Sequence, residues 1–213
     1  MKKFTTFVIM LAMALSTSAQ DASNGIQGEQ PQRKALFERR SKIVDAKYLK
    51  GGVPEVNGKV TWEKTYKVEG QTADQIYDKA LAYFSNLVKS ENQTERSAVA
   101  GVDRVGHKIL IRSQEWLVFG KKNFSLDQTK MNYAASIECS DGICKVLITN
   151  ISYNYEEGRP TAVHYTAEEF IADKVAFNKK GTDFAKGGVR KFRIGTIDRM
   201  DQILRGFGIA LKS

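Results

Sequence analysis

Three patterns in the sequence predict an α+β fold, ordered strand, helix, four antiparallel strands, helix, helix. Between Lys59 and Val68, the residues Val60, Trp62, Tyr66 and Val68 fall on one side and Lys59, Thr61, Glu63 and Lys67 on the other. That period of two marks a half-buried strand. Asp141-Gly142 lies between two apolar-alternating runs and predicts a type I′ hairpin turn, which needs positive φ at both central positions. Near the C-terminus, Ile197, Met200, Leu204, Phe207 and Leu211 recur at steps of three and four, the core stripe of a helix.

Met1–Gln20 carries Lys2 and Lys3, an apolar run from Phe4 to Leu15 and small residues up to Ala19, the layout of a signal peptide cleaved after Ala19. That run is too short to span a bilayer, no cysteine follows it to carry a lipid, and no second long apolar stretch occurs. The expectation is an exported protein, periplasmic or secreted, that is neither a lipoprotein nor an integral membrane protein. Residues 20–34 are polar, contain Gly and Pro without periodicity, and read as a disordered lead-in. Residues 35–57 form an N-terminal segment with a short helix over Ala35–Tyr48, broken by Gly51, Gly52 and Pro54.

The main domain, 58–160, opens with the Lys59–Val68 strand. Thr72 and Gln75 make a capping box ahead of Ile76, Ala80, Leu81, Phe84, Leu87 and Val88, a helical stripe. Strands are predicted over Thr94–Val105, His107–Phe119, Met131–Cys139 and Cys144–Tyr155, and Gly158 and Pro160 end the sheet. In the C-terminal part, 161–213, Thr166 with Glu169 caps a helix through Phe170, Ile171 and Val175. A basic Gly-rich loop, Lys179 to Gly188, precedes the last helix.

A two-residue turn at Asp141-Gly142 sets Ser140 opposite Ile143, Cys139 opposite Cys144, Glu138 opposite Lys145, Ile137 opposite Val146 and Ala135 opposite Ile148. The two cysteines then occupy a non-hydrogen-bonded pair, close enough to bridge. No other cysteine exists, and in an oxidising compartment a structural disulfide is the expected state. With Ala135, Ile137, Val146 and Ile148 toward the helices, simple alternation sends Leu147, Ile151, Tyr153 and Tyr155 to the opposite face. That strip is either a binding face or is covered by the N-terminal segment or the chain after Tyr155.

The net charge of +9 is spread along the chain, and losing Lys2 and Lys3 with the leader lowers it by two. The tightest cluster is Lys186, Arg190, Lys191 and Arg193, read either as a solvated face or as a loop attracting an anionic partner such as lipid headgroups, lipopolysaccharide or acidic glycans. His107 and His164 are the only histidines, and neither has a metal-ligand spacing. Gly101 and Gly106 precede His107-Lys108 rather than Lys-Ser/Thr, and no GxSxG or SxxK arrangement occurs. Glu156-Glu157 and Glu168-Glu169 are adjacent pairs whose side chains diverge. No catalytic set, metal or cofactor is predicted.

Several segments are recognisable together: Tyr48-Leu49-Lys50-Gly51-Gly52-Val53-Pro54-Glu55-Val56-Asn57-Gly58-Lys59-Val60, Gln75-Ile76-Tyr77-Asp78, Glu115-Trp116-Leu117-Val118-Phe119, Ser125-Leu126-Asp127, and the hairpin ending in Tyr153-Asn154-Tyr155. In this order they resemble a bacterial family of exported proteins of unknown function with a TATA-binding-protein-like fold. The resemblance spans about Tyr48 to Gly158 and implies a curved antiparallel sheet with helices on its convex face. It implies no activity, because the family has none assigned. The expected function is a non-enzymatic envelope protein that binds a partner protein, a glycan or a lipid surface. The alternative is an envelope hydrolase whose Asp, Glu and His residues converge from distant segments. Nucleic-acid binding is suggested by fold analogy and by the positive charge, and is not expected of an exported protein.

Overall fold

A computed structural model describes residues 44–122, 125–181, 183–185 and 187–213. The expected signal peptide, the lead-in, most of the Ala35–Tyr48 helix and Lys186 lie outside the described residues. From Val44 to Ser213 the chain forms one compact unit. A 3-10 turn (Ala46–Tyr48) and a small hairpin, β1 (Glu55–Val56) and β2 (Lys59–Val60), lead into β3 (Trp62–Lys67). Helix α1 (Ala73–Leu87) follows, with the predicted Thr72–Gln75 capping box at its start. Next come β4 (Ala98–Asp103), β5 (Lys108–Lys122), β6 (Ser125–Ser140), β7 (Ile143–Tyr155) and β8 (Val163–Thr166). Two single-turn helices, α2 (Ala167–Phe170) and α3 (Asp173–Ala176), precede α4 (Gly187–Ala210).

The sheet is antiparallel with the order β3-β7-β6-β5-β4, and β8 also pairs with β7. β3 runs along Ile143–Ile148 and β8 along Ser152–Tyr155, so the two lie end to end on one edge of β7. β8 escapes the sequence pattern because four residues are too few to show a period. The long strands also run further than expected: β5 continues to Lys122 and β6 begins at Ser125.

The predicted hairpin register is present pair for pair. Gly142 alone takes positive φ (71°), so the turn is not type I′. Its conformation is set by the β3–α1 connection. Asp141 accepts from the Ala73 N–H at 2.7 Å, Gly142 N–H donates to the Gln71 carbonyl, and Val68 N–H donates to the Gly142 carbonyl. Glu138 and Lys145 face each other yet take partners on the outer strands, Lys108 at 3.2 Å and Glu63 at 2.8 Å. Cys139 and Cys144 are opposite, and Cys139 N–H donates away to the His107 carbonyl, as a non-hydrogen-bonded pair requires. Their sulfurs are 3.3 Å apart, a thiol contact well beyond the roughly 2.05 Å of a bond. The expected disulfide is therefore not formed in this structure, and both residues are buried thiols.

One residue breaks the alternation of β7. Asn132 pairs with Ser152 but Ala134 pairs with Thr149, so Asn150 and Ile151 together oppose Tyr133. This is a β-bulge, and Asn150 sits in the left-handed region at φ 56°. Before it, Cys144, Val146 and Ile148 point inward; after it, Ile151 and Tyr153 do, at 1% and 0% exposure. Tyr155 packs against the same core. The expected outward strip of Leu147, Ile151, Tyr153 and Tyr155 is thus wrong for all but Leu147, because the bulge at Asn150 shifts the phase of the alternation.

Helices α1 and α4 cover the inward face. Tyr66, Tyr83 and Phe84 surround Phe207, with ring centroids 5.1 to 5.4 Å apart. Phe192 contacts Phe119, Tyr153, Tyr155 and Phe170. Tyr153 Oη lies 2.8 Å from Thr196 Oγ1. Beside Phe192, the side chain of Arg193 is fully buried. It donates to the carbonyls of Tyr48, Leu49 and Ile171 and to Asp173 at 2.5 to 2.7 Å. One guanidinium thereby ties the N-terminal segment and the α2–α3 corner to α4, since its fork supplies five fixed donors.

Asn150→Val should lower stability by about 1–2 kcal/mol, because a β-branched side chain is strained in the left-handed region, whereas Asn150→Gly should leave the melting temperature nearly unchanged. Arg193→Met should cost about 3 kcal/mol by stranding three carbonyls and a carboxylate, measured by chemical denaturation.

Candidate functional site

Alternate residues of β5, β6 and β7 point away from the helices and align into rows across the sheet. One row joins Gln114, Asn132, Ser152 and Thr166. Thr94 Oγ1 donates to Gln114 Oε1 at 2.9 Å, Gln114 Nε2 to Asn132 Oδ1 at 2.8 Å, and Asn132 Nδ2 to Ser152 Oγ at 3.2 Å. The bonds run in one direction, so each amide keeps a second N–H and Ser152 keeps its hydroxyl proton for another acceptor.

The next row joins Trp116, Lys130, Asn154 and His164. The Lys130 ammonium lies 5.2 Å from the Trp116 ring centre and 2.6 Å from Glu157. Asn154 Oδ1 and His164 Nδ1 are 2.6 Å apart. On the other side of the amide row, Arg112 lies across from Ala134 and Thr149, and Arg112 Nε donates to the Arg96 carbonyl. These small side chains leave a depression of about 500 Å³ bounded by Arg96, Arg112, Gln114, Asn132 and Asn150. A second depression of about 690 Å³ opens beyond Trp116 and Lys130, toward Gln128, Tyr155 and Arg159.

The row is braced from behind. Glu115, which points inward between Gln114 and Trp116, is 1% exposed and receives both Arg199 Nε and Nη2 at 2.8 and 2.7 Å. Gln93 Nε2 donates to the same carboxylate at 2.6 Å, and Gln93 Oε1 accepts from Ser97 and Ser113. Burial opposes charge on Arg199, but the hydrogen bonds to Glu115 and the attraction of that carboxylate together outweigh it and raise the pKa. Helix α4 therefore fixes the very stretch of β5 that presents Gln114 and Trp116.

The residues singled out in the sequence do not gather here. Leu147 lies half-buried on the helix-free face, while Ile151, Tyr153 and Tyr155 are on the core side. The basic cluster is dispersed. Arg193 is internal, Lys191 is clasped by Asp127 at 2.7 and 2.8 Å and by Tyr155 Oη at 2.9 Å, and Arg190 is exposed. Among the described residues this cluster is not an anion-attracting loop. His107 bonds Asp74 at 3.1 Å, far in sequence from His164. Asp127, Glu156 and Glu157 border the larger depression, each held by a cation, and no histidine lines it. Among the described residues no three His, Cys, Asp or Glu side chains converge as metal ligands, and no helix is long and apolar enough to cross a membrane.

Sequence reasoning missed Gln114, Asn132 and Ser152. The available signal was Asn132 at an outward position inside a long strand, where asparagine is disfavoured unless something holds it.

Residues 62–154 match the family described as a domain of unknown function (DUF4468) with TBP-like fold. No curated protein matches the chain. A crystal structure of a TBP-like protein from Parabacteroides distasonis is 18% identical, with a TM-score of 0.59 over 76% of this chain and 97% of that one, a likeness of fold alone. A crystal structure of a DUF4468 family protein from Bacteroides ovatus is 34% identical, with a TM-score of 0.73 over 81% of this chain and 97% of that one. The antiparallel sheet, its helix-covered inner face and this identity over nearly the whole of a family member lead to one assignment: the chain belongs to the DUF4468 family, with its TBP-like fold.

Proposed function

We propose that the protein is an exported, non-enzymatic binding module that holds a glycan chain across the helix-free face of its sheet. The observation that carries this reading is the row Thr94–Gln114–Asn132–Ser152, hydrogen-bonded in advance and flanked by a depression on either side. A sugar presents hydroxyls, which suit fixed amides and a free hydroxyl, and a C–H face, which suits the half-buried indole of Trp116. Groups already ordered before binding lose little entropy when the ligand arrives. The leader-like pattern of Met1–Ala19 supports export.

In that compartment Cys139 and Cys144 are placed to close a cross-strand disulfide. Each thiol gives up a proton and an electron, and an oxidised dithiol oxidoreductase takes both pairs through a mixed disulfide. Their opposed register and 3.3 Å contact support this state.

Calorimetric titration with soluble polygalacturonate and with a neutral galactan tests the binding face. Trp116→Ala and Asn132→Leu should each weaken binding about two- to tenfold while the protein stays folded by circular dichroism, since an isolated hydrogen bond or stacking contact carries about 0.5–1.5 kcal/mol. Unchanged affinity in both variants would remove the face from the account. For the cysteines, protein recovered from the exporting cell should gain about two daltons on reduction; two thiols that alkylate without reductant contradict the bridge.

A further inference from the structure

We infer that the glycan held on this face carries carboxylates, and that Glu157 is a built-in stand-in for one of them, seated on Lys130 until a ligand uronate replaces it. This rests on the glycan-binding reading above. The turn between β7 and β8 is arranged to present Glu157 alone. Glu156, at φ 53°, folds its carboxylate back onto Thr161 Oγ1 at 2.5 Å and Arg159 at 3.4 Å. Gly158 is also left-handed, at φ 85°. The neighbouring Glu157 is thereby left to reach Lys130, 2.6 Å away, with 46% of its own side chain still in solvent.

The surroundings suit a carboxylated sugar. Lys130 binds its carboxylate partner while its ammonium stands over the Trp116 ring, 5.2 Å from the ring centre, so an acid group at that position brings an attached sugar beside the indole. Gln128, two residues along β6, makes no side-chain hydrogen bond among the described residues, and Asn154, opposite Lys130, has its Nδ2 uncommitted. Both can meet hydroxyls. The depression of about 690 Å³ lies within the range of small-ligand sites, roughly 300–1,000 Å³.

Arg96, Arg112 and Lys130 stand around the amide row. Of the three carboxylates that border the larger depression, Asp127 is held by Lys191 and Glu156 by Arg159 and Thr161, which leaves Glu157 as the one seated on Lys130. The hydrogen bond from Lys130, then the charges of Lys130 and Arg96, hold the Glu157 carboxyl below its ordinary range. Exchange is cheap because an exposed ion pair is worth about 1 kcal/mol or less. A multivalent polymer supplies many carboxylates at high local concentration against that single internal one.

Titration of galacturonate oligomers against galactose oligomers of the same linkage tests the exchange in wild type, Glu157→Gln, Lys130→Met and Trp116→Ala. Wild type should prefer the acidic oligomer. Glu157→Gln should bind it about two- to fivefold tighter with the neutral oligomer unchanged, the fold-change expected for releasing an exposed pair. Lys130→Met should bind both oligomers alike. An acidic affinity in Glu157→Gln equal to or weaker than wild type overturns the exchange, as does a Lys130→Met that keeps the acid preference. If wild type binds both oligomers equally and Trp116→Ala loses both, the exchange falls and the glycan face stands. If wild type binds neither, the glycan reading falls and the exchange with it.

Discussion

At Asn150 the strand β7 inserts one residue against β6, and both faces of the sheet depend on that insertion. The hairpin register set at the Asp141-Gly142 turn would otherwise continue unchanged, placing Asn132 opposite Ile151. Every inward residue beyond it would then turn outward, because the side-chain period of a strand is two. With the bulge, Ile151 and Tyr153 enter the core and Tyr155 follows them to its margin, supplying the surface on which Phe192 of α4 packs. On the other face the same shift brings Ser152 beside Asn132 and completes the amide row. Asparagine suits the site because its short polar side chain tolerates the left-handed region.

The two faces are coupled through charge as well as register. Arg199 and Glu115 form a buried, bidentate pair directly beneath Gln114 and Trp116. Such a pair contributes little net stability, since desolvation consumes most of the attraction, but it is strongly orientational. Arg193, earlier on the same helix, does the same for the N-terminal segment and the α2–α3 corner. The C-terminal part thus supplies much of the core and aligns the strand that bears the candidate site. A face built on rigid strands and braced from behind can hold its polar groups ready for a ligand.

Much of this fold was legible in the sequence, and the part that was not has a physical reason. Capping boxes at Thr72 and Thr166, the hairpin register from Ser140 to Ala135 and the stripe from Ile197 to Leu211 are local signals, and all are present. The inward turn of Ile151, Tyr153 and Tyr155 was not, because a bulge is decided by what packs on each face and no residue before Asn150 announces it. The basic cluster misled for a similar reason. Lys191 and Arg193 look like surface charges until Asp127 and Asp173, distant in sequence, are brought to them. The candidate face was the least legible feature. Its members come from a loop and three strands, and none of them is unusual alone.

The most direct test of the central claim is to map a bound oligogalacturonate onto the protein by chemical-shift perturbation in labelled protein. The largest changes should fall on the Trp116 indole N–H and the side-chain amides of Gln114, Gln128, Asn132 and Asn154, with α1 and α4 silent. Changes centred on the exposed residues of α4, or spread evenly over the basic surface with the amides of that row unmoved, would contradict it.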